Sequence, residues 1–116
     1  MFRFEELEIW KLAIEYGNDL YNIADKFPSK EIYGLCSQLR RSAVSISNNI
    51  AEGSGASTDK DFCSFLDISV KSALETVNIL YFAKIRGYIN EEKRLELYEN
   101  AEKIIRKIRS FKKTLR

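Results

Sequence analysis

Four glutamates near the carboxyl end are the residues whose type and spacing come closest to a catalytic pair. They are Glu91, Glu92, Glu96 and Glu99. Paired carboxylates can hydrolyse a bond when the pKa of one of them is raised, which requires apolar surroundings. Lys93, Arg94 and Lys103 are interleaved with these glutamates. We therefore expect charge pairs on a helix surface and no general acid.

The other chemically active residue types give weak signals. The chain has no histidine, which removes the commonest general base and the commonest transition-metal ligand. Cys36 and Cys63 have apolar neighbours and form no CxxC pair, so we expect two buried or nearly buried thiols. Gly53 and Gly55 precede a helix start, but no P-loop lysine follows, which favours a plain turn over a phosphate loop. The sequence predicts a protein that is not an enzyme and uses no metal or cofactor.

The last 14 positions form a basic tail, with seven basic residues and no acidic one. Its basic members are Lys103, Arg106, Lys107, Arg109, Lys112, Lys113 and Arg116. The rest of the chain holds 12 basic and 17 acidic residues, so the net charge of +2 hides this asymmetry. The spacing of Arg106, Arg109, Lys113 and Arg116 puts them on one helical face, which can follow the phosphates of RNA or DNA. A solvated helix end, where cations suit the helix dipole, and an acidic protein partner are the alternatives.

A stripe of short polar side chains lies beside an apolar stripe in the segment 38–53. This polar stripe consists of Gln38, Ser42, Ser45, Asn49 and Glu52, and Arg41 lies next to it. Serine and asparagine cost about 0.5 kcal/mol each relative to alanine in a helix, so their clustering needs another reason. Small polar side chains let a second backbone approach closely. We expect a contact face between subunits of a homo-oligomer, with an ordinary solvated face as the alternative.

Apolar residues recur at steps of three and four throughout the chain, which predicts four helices at about 5–26, 31–52, 58–86 and 91–114. Pro28 should end the first helix, and a left-handed glycine at Gly53 or Gly55 the second. Thr58 and Asn90 should cap the third and fourth helices. We predict a single all-α domain of residues 1–116, an antiparallel up-down-up-down four-helix bundle. A three-helix or extended coiled-coil arrangement is the alternative.

The start of the chain and its hydropathy predict where the protein resides. The first residues do not have the pattern of a signal peptide, and no stretch of about 18 residues is free of charge. We therefore expect no membrane partner and a cytoplasmic location.

The run from Asn49 to Gly53, reading NIAEG, is the centre of an ordered set of residues that extends over almost the whole chain. The other members are Phe4, Leu7, Trp10, Ala13, Phe27, Pro28, Glu31, Tyr33, Gly34, Leu35, Gln38, Arg41, Ala43, Ser45, Ile46, Phe65, Leu66, Ile68, Ser72, Glu75, Gly87, Tyr88 and Ile89. Together they resemble the signature of the four-helix-bundle proteins encoded in intervening sequences of bacterial 23S ribosomal RNA genes.

The resemblance carries expectations of its own. It implies a four-helix bundle, assembly into a cyclic pentamer and, by genomic context, an association with RNA. A related set of four-helix bundles serves as accessory subunits of the reverse transcriptases of diversity-generating retroelements. The resemblance therefore leaves open two classes of function: a nucleic-acid-binding protein that acts through its basic tail, or a protein-interaction module.

Overall fold

The computed structural model describes residues 1–115, and these residues form four α-helices joined by short turns. The helices are α1 (Glu8–Ala24), α2 (Leu35–Ser54), α3 (Asp59–Ile85) and α4 (Glu91–Lys112). Short 3₁₀ helices at Arg3–Glu6 and Ser29–Glu31 precede α1 and α2. The described part of the chain contains no strand, so the prediction of an all-helical four-helix protein is confirmed.

Each helix packs against two others in a ring, α1 with α2 and α4, and α3 with α2 and α4. The most extensive contact is that between α2 and α3. Along this pair, Ser69 bonds to Ile46, and Thr76, two turns further along α3, bonds to Ser42, which lies earlier in α2. The α1–α4 pair behaves in the same way, since Glu8 contacts Lys107 and Tyr16 contacts Leu97. Such registers belong to antiparallel neighbours.

The core consists of the apolar stripes that the sequence pattern predicts. Each of the four helices contributes fully buried side chains, and Phe62 of α3 is the largest of them. The other large ones are Leu20, Leu39, Ile46, Ile50, Leu66, Leu80, Leu97 and Ile108. Full burial of such a side chain stabilises the fold by about 1.5–3 kcal/mol. The bundle is therefore held together chiefly by apolar contact along its axis.

The beginning of α1 differs from the predicted helix. Leu7 has an extended backbone, with φ −81° and ψ 127°, so the α-helix begins at Glu8 and not near Glu5. The preceding 3₁₀ helix turns Phe4 back onto Trp10, with ring centroids 5.0 Å apart. The Glu5 carboxylate accepts a hydrogen bond from the backbone N–H of the second residue at 3.0 Å. Aromatic packing at this end of the bundle thus interrupts a segment whose periodicity alone predicts one helix.

The start of α2 is displaced to Leu35 from its predicted position near residue 31. The carboxylate of Glu31 accepts a hydrogen bond from the Leu35 backbone N–H at 3.2 Å and another from the Tyr88 hydroxyl at 2.7 Å. The hydrogen bond from Tyr88, and to a smaller extent the one from Leu35, holds the pKa of Glu31 below its ordinary value. Glu31 therefore joins the first turn of α2 to the turn between α3 and α4.

The end of α2 corrects a prediction. Gly53 is helical and buried, and Gly55 has φ −94°, so neither takes the left-handed conformation that we expected. Among residues 1–115, only Gly87 has a positive φ, at 81°, where α3 ends. A Cβ on Gly53 would lie 2.7 Å from the Cβ of Phe65 and 2.8 Å from Cδ1 of Phe62. Glycine is present here because α3 crosses α2 closely, and not because the chain turns.

The two predicted helix caps are confirmed. The Thr58 hydroxyl accepts a hydrogen bond from the Asp61 N–H at 3.1 Å, and the Asn90 side chain accepts one from the Lys93 N–H at 2.8 Å. Each bond satisfies an amide that the helix itself leaves without a partner. No helix within the described residues is both long and apolar enough to cross a membrane.

Candidate functional site

Two of the four candidate glutamates of α4, Glu91 and Glu96, are paired with neighbouring cations. Glu91 forms an ion pair with Arg94, and Glu96 forms one with Lys93 at 3.0 Å. The hydrogen bond from Arg94 lowers the pKa of Glu91, whereas a general acid needs a raised pKa. This arrangement stabilises the first turns of α4 and gives Glu91 the opposite of the property that a general acid needs.

Metal ligands and reactive thiols show no clustering in the described chain. Within residues 1–115, no three side chains of histidine, cysteine, aspartate or glutamate lie close enough to hold a metal ion. Cys36 is buried, with its sulfur 3.5 Å from the carbonyl oxygen of Ala24, and Cys63 is half-buried; both are free thiols. Cys36 therefore serves as a small core residue that joins α2 to α1.

The basic tail is divided between the two sides of α4. Lys107 faces α1 and pairs with Glu8 at 3.2 Å, and Lys112 faces α3 and pairs with Asp67 at 2.7 Å. The hydrogen bond to Asp67 raises the pKa of Lys112. Lys103 lies in a separate groove between α1 and α4, beside two acidic residues of α1. These three lysines therefore face or pair with carboxylates of the bundle.

The remaining described cations of the tail lie together. Arg106, Arg109 and Lys113 are exposed, and none of them forms an ion pair with another residue in the range 1–115. All three line one groove between α3 and α4. Arg116, which we predicted on the same face, lies outside the described residues. Three exposed cations that form no ion pair among the described residues thus lie on one side of the bundle, although Arg106 also borders a second groove that contains Glu6 and Glu8.

The groove that contains these cations, which we call the α4 groove, has a volume of about 470 Å³. Its lining residues are Leu74, Val77, Tyr98, Glu102, Ile105, Arg106, Arg109, Ser110 and Lys113. Leu74, on the α3 wall, is 53% exposed. The volume lies in the range of about 300–1,000 Å³ that is typical of small-ligand sites. Apolar and aromatic surface therefore lies next to the unpaired cations.

Some of these residues had a sequence signal that our prediction did not use. Tyr98, Glu102, Ile105, Arg109 and Lys113 recur at steps of three and four, so they share one face of α4. If the helical face of Arg109 and Lys113 is extended towards the start of α4, it includes Tyr98 and Glu102, so the sequence alone could have identified these two residues. The α3 wall had no such signal, because it depends on the register between two helices.

Arg94 is a buried cation that sequence reasoning placed on the surface. It is 6% exposed, and its guanidinium lies 4.3 Å from the ring centroid of Tyr81 and 5.6 Å from that of Tyr98. Its Nε and Nη2 donate hydrogen bonds to the carboxylate of Glu91, but Nη1 has no hydrogen-bond partner in the described structure. Arg94 thus packs against the aromatic ring that forms one end of the α4 groove.

Two members of the polar stripe of α2, Ser42 and Ser45, form hydrogen bonds to α3 within the bundle. The Thr76 hydroxyl donates to Ser42 at 2.8 Å, and Ser45 and Ser72 share a hydrogen bond of 2.7 Å. With the Ser69 hydroxyl, which donates to the Ile46 carbonyl at 2.8 Å, these residues form a hydroxyl seam between α2 and α3. Members of the hydroxyl seam are Ser42, Ser45, Ser69, Ser72 and Thr76. Ser42 is fully buried there, so it is not available to a second subunit.

The outer part of the stripe borders a shallow groove. Arg41, Ser45, Asn49 and Glu52 line about 420 Å³ of open space on α2, which we call the α2 groove. Tyr21 of α1 and three further residues of α2, namely Arg40, Val44 and Asn48, complete its lining. Gln38 is exposed but does not line this groove. The structure therefore brings together four of the six residues that we assigned to a contact face.

Comparisons with known proteins agree with this architecture. A crystal structure of a protein of unknown function, from the S23 ribosomal protein family of Bacteroides thetaiotaomicron, is similar with a TM-score of 0.83 and 24% identity. The alignment covers 90% of this chain and 98% of that chain, and it shows a common fold. No curated protein is similar to this chain. The family model described as 23S rRNA-intervening sequence protein matches residues 5–110, so the chain belongs to that family.

Proposed function

We propose that this protein is a non-enzymatic RNA-binding bundle that contacts the phosphate backbone through the basic face of α4. The observation that carries the proposal is the set of three cations, Arg106, Arg109 and Lys113, which line one groove and form no ion pair with another residue in 1–115. A cation already paired with a carboxylate gains less from a phosphate than an unpaired one does. The unpaired set is therefore the part of the tail best suited to nucleic acid.

Two further facts support RNA as the ligand. The description of the family links it to 23S ribosomal RNA. The charge of the chain is also asymmetric, since acidic residues outnumber basic ones before the tail and are absent within it. Such asymmetry orients a molecule so that one face approaches a polyanion. Binding by this face needs no catalytic group, metal or cofactor. We propose that the protein acts in the cytoplasm.

The test is the salt dependence of RNA binding. Fluorescence anisotropy with a labelled RNA should be measured for the parent protein and for a triple variant with Arg106→Gln, Arg109→Gln and Lys113→Gln. The slope of log affinity against log salt concentration should become smaller by about 0.7–0.9 for each phosphate that the variant no longer neutralises. A matched control carries Lys26→Gln, Lys30→Gln and Lys84→Gln, which remove the same charge from exposed positions outside the α4 groove.

The proposal requires that the control retain the parent slope while the slope of the groove variant falls. Equal reductions in the two variants would mean that net charge alone attracts RNA, and would contradict the assignment to α4. If the parent retained neither RNA nor DNA at low salt, the proposal would be wrong. The protein-interaction alternative, including an accessory subunit of a reverse transcriptase, would then be favoured.

We also propose that the protein forms a homo-oligomer, for which the family resemblance implies a pentamer. It is supported by large apolar side chains that remain exposed at one end of the bundle. Tyr33 is 93% exposed, Ile85 is 73% exposed, and Ile32 and Phe82 are each about half exposed. The bond between Glu31 and Tyr88 brings the turn before α2 and the turn after α3 together. Exposed apolar surface of this kind marks protein contacts.

Light scattering coupled to size exclusion tests both candidate contacts. Phe82→Glu with Ile85→Glu adds charge to the apolar end, and Asn48→Arg with Glu52→Arg places long cations in the α2 groove. Asn48 and Glu52 suit this purpose better than Ser45, because a change at Ser45 would also break its bond to Ser72 within the subunit. A lower mass for one variant identifies its surface as the contact. A parent that is monomeric at micromolar concentration would contradict the proposal.

A further inference from the structure

The α4 groove differs in chemistry along its length. On α4 the partly buried Tyr98 lies at one end, and Leu74 and Val77 of α3 form the opposite wall of the groove. Arg109 and Lys113 lie at the other end. From this arrangement we propose that the groove binds single-stranded RNA, with an unpaired base seated against Tyr98 and the following phosphates along the cations. This inference rests on the proposed function and adds the form of nucleic acid.

The apolar end of the groove has no use in binding a duplex. A double helix presents phosphates and sugars on its outside, whereas its bases are stacked inward. An unpaired base presents an aromatic face, and stacking on a side-chain ring is a general means of single-strand recognition. The guanidinium of Arg94 lies 5.6 Å from the Tyr98 ring centroid, within the range of a cation–π contact. Leu74 is 53% exposed and extends the apolar surface across to α3.

The cationic end is arranged for one strand. Arg106, Arg109 and Lys113 follow each other along α4, and at about 1.5 Å per residue they span roughly 10 Å of the helix axis. The opposite wall carries Leu74 and Val77, which have no charge. A single row of cations beside an apolar wall matches one phosphate backbone with its bases turned to the other side.

Glu102 determines which end receives the base. It lies between Tyr98 and Arg106 on the same face of α4, and its carboxylate repels a phosphate from the aromatic end. A carboxylate accepts hydrogen bonds, so it can bind the amino group of a base or a ribose 2′-hydroxyl. Ser110 adds a hydroxyl within the cationic half of the groove. Because DNA lacks the 2′-hydroxyl, these two residues favour RNA.

The experiment compares three labelled oligonucleotides of one sequence: single-stranded RNA, the same RNA paired with its complement, and single-stranded DNA. We expect the parent protein to bind single-stranded RNA most tightly. Tyr98→Leu should weaken that binding by at least about fivefold, because the base can no longer stack on an aromatic ring. The slope against log salt should stay at the parent value, since the number of neutralised phosphates does not change. Duplex binding should be unaffected by this substitution.

A second pair of variants guards against a fold defect at Tyr98. Leu74→Gln alters an exposed residue of the groove, and Ile68→Gln alters an exposed residue of the same helix that does not line it. Leu74→Gln should weaken single-strand binding by severalfold, and Ile68→Gln should leave it unchanged. Circular dichroism should show the parent helix content in all three variants.

The outcomes separate this inference from the proposed function. If duplex and single strand bound with equal affinity, or if Tyr98→Leu and Leu74→Gln both bound like the parent, no base would stack on Tyr98. The proposed contact between the cations and the phosphates would not be affected by either result. Equal affinity for DNA and RNA single strands would overturn the role of the 2′-hydroxyl. If no oligonucleotide bound to the parent, both proposals would be wrong.

Discussion

The crossing of α2 and α3 at Gly53 allows a prediction with a defined sign. Gly53→Ala should destabilise the protein by up to about 2 kcal/mol. The added methyl group would lie 2.7 Å from the Cβ of Phe65, which is fixed to the backbone and cannot rotate away. Overpacking of this kind costs about 1–3 kcal/mol. The higher helix propensity of alanine recovers about 1 kcal/mol of that cost.

Gly17→Ala is the matched control for this substitution. Gly17 also lies inside a helix, but a Cβ there would be 3.5 Å from the carbonyl oxygen of Ala43, an ordinary contact distance. The gain in helix propensity is then not opposed, so this variant should be more stable than the parent by up to about 1 kcal/mol. Two identical changes in composition should thus have opposite effects.

Urea denaturation followed by far-ultraviolet circular dichroism measures both effects. The midpoint should move down for Gly53→Ala and up for Gly17→Ala, with an unchanged slope of unfolding free energy against urea. If Gly53→Ala were as stabilising as Gly17→Ala, α2 and α3 would have to lie further apart than the structure places them. The reasoning about close helix approach would then be refuted.

Three further predictions concern single groups. The Tyr16 hydroxyl donates to the Leu97 carbonyl at 2.8 Å in the core, so Tyr16→Phe should cost about 1 kcal/mol in urea denaturation. Glu31→Gln should lower stability at neutral pH, where the depressed pKa of Glu31 contributes. This difference should shrink as the pH falls from the ordinary value of about 4.3 through the lower folded-state pKa, and a pH-independent difference would contradict it. Cys63 should react with a thiol reagent in the native protein and Cys36 only after unfolding, as two-step labelling would show.

The helices were predictable because periodic apolar residues dominate each segment, and the caps because Thr58 and Asn90 act on their own helices. The starts of α1 and α2 were not predictable from periodicity. The break at Leu7 depends on aromatic packing, and the start at Leu35 depends on a bond between Glu31 and a distant tyrosine. Local patterns therefore predict which segments are helical, whereas tertiary contacts determine where the helices begin.

The candidate sites show the same division. The common face of Arg106, Arg109 and Lys113 follows from helical spacing alone, and the structure places these residues in one groove. The pairing of Lys107 with Glu8 and of Lys112 with Asp67 depends on which helices lie beside α4. No spacing rule within one helix contains that information. Their salt bridges could be assigned only after the register of three helices was known.

The hydroxyl seam favours the observed axial alignment of α2 and α3 over alignments in which α3 is shifted along α2 by a helical turn. Apolar stripes repeat along a helix, so sliding α3 by one turn of about 5.4 Å would still bury leucine against isoleucine. The same slide would separate Thr76 from Ser42 and Ser45 from Ser72. Ser42 and Thr76 would keep their bonds to carbonyls of their own helices, so the cost is the loss of the interhelical bonds, about 0.5–1.5 kcal/mol each.

This penalty affects how the sequence can change over evolutionary time. Leucine and isoleucine in the core can be exchanged singly if volume is kept, because apolar packing is not directional. Ser45 and Ser72 bond to each other, so removal of either hydroxyl leaves the other without that partner. Substitutions at this pair should therefore occur together in related sequences, while the apolar positions around it vary independently.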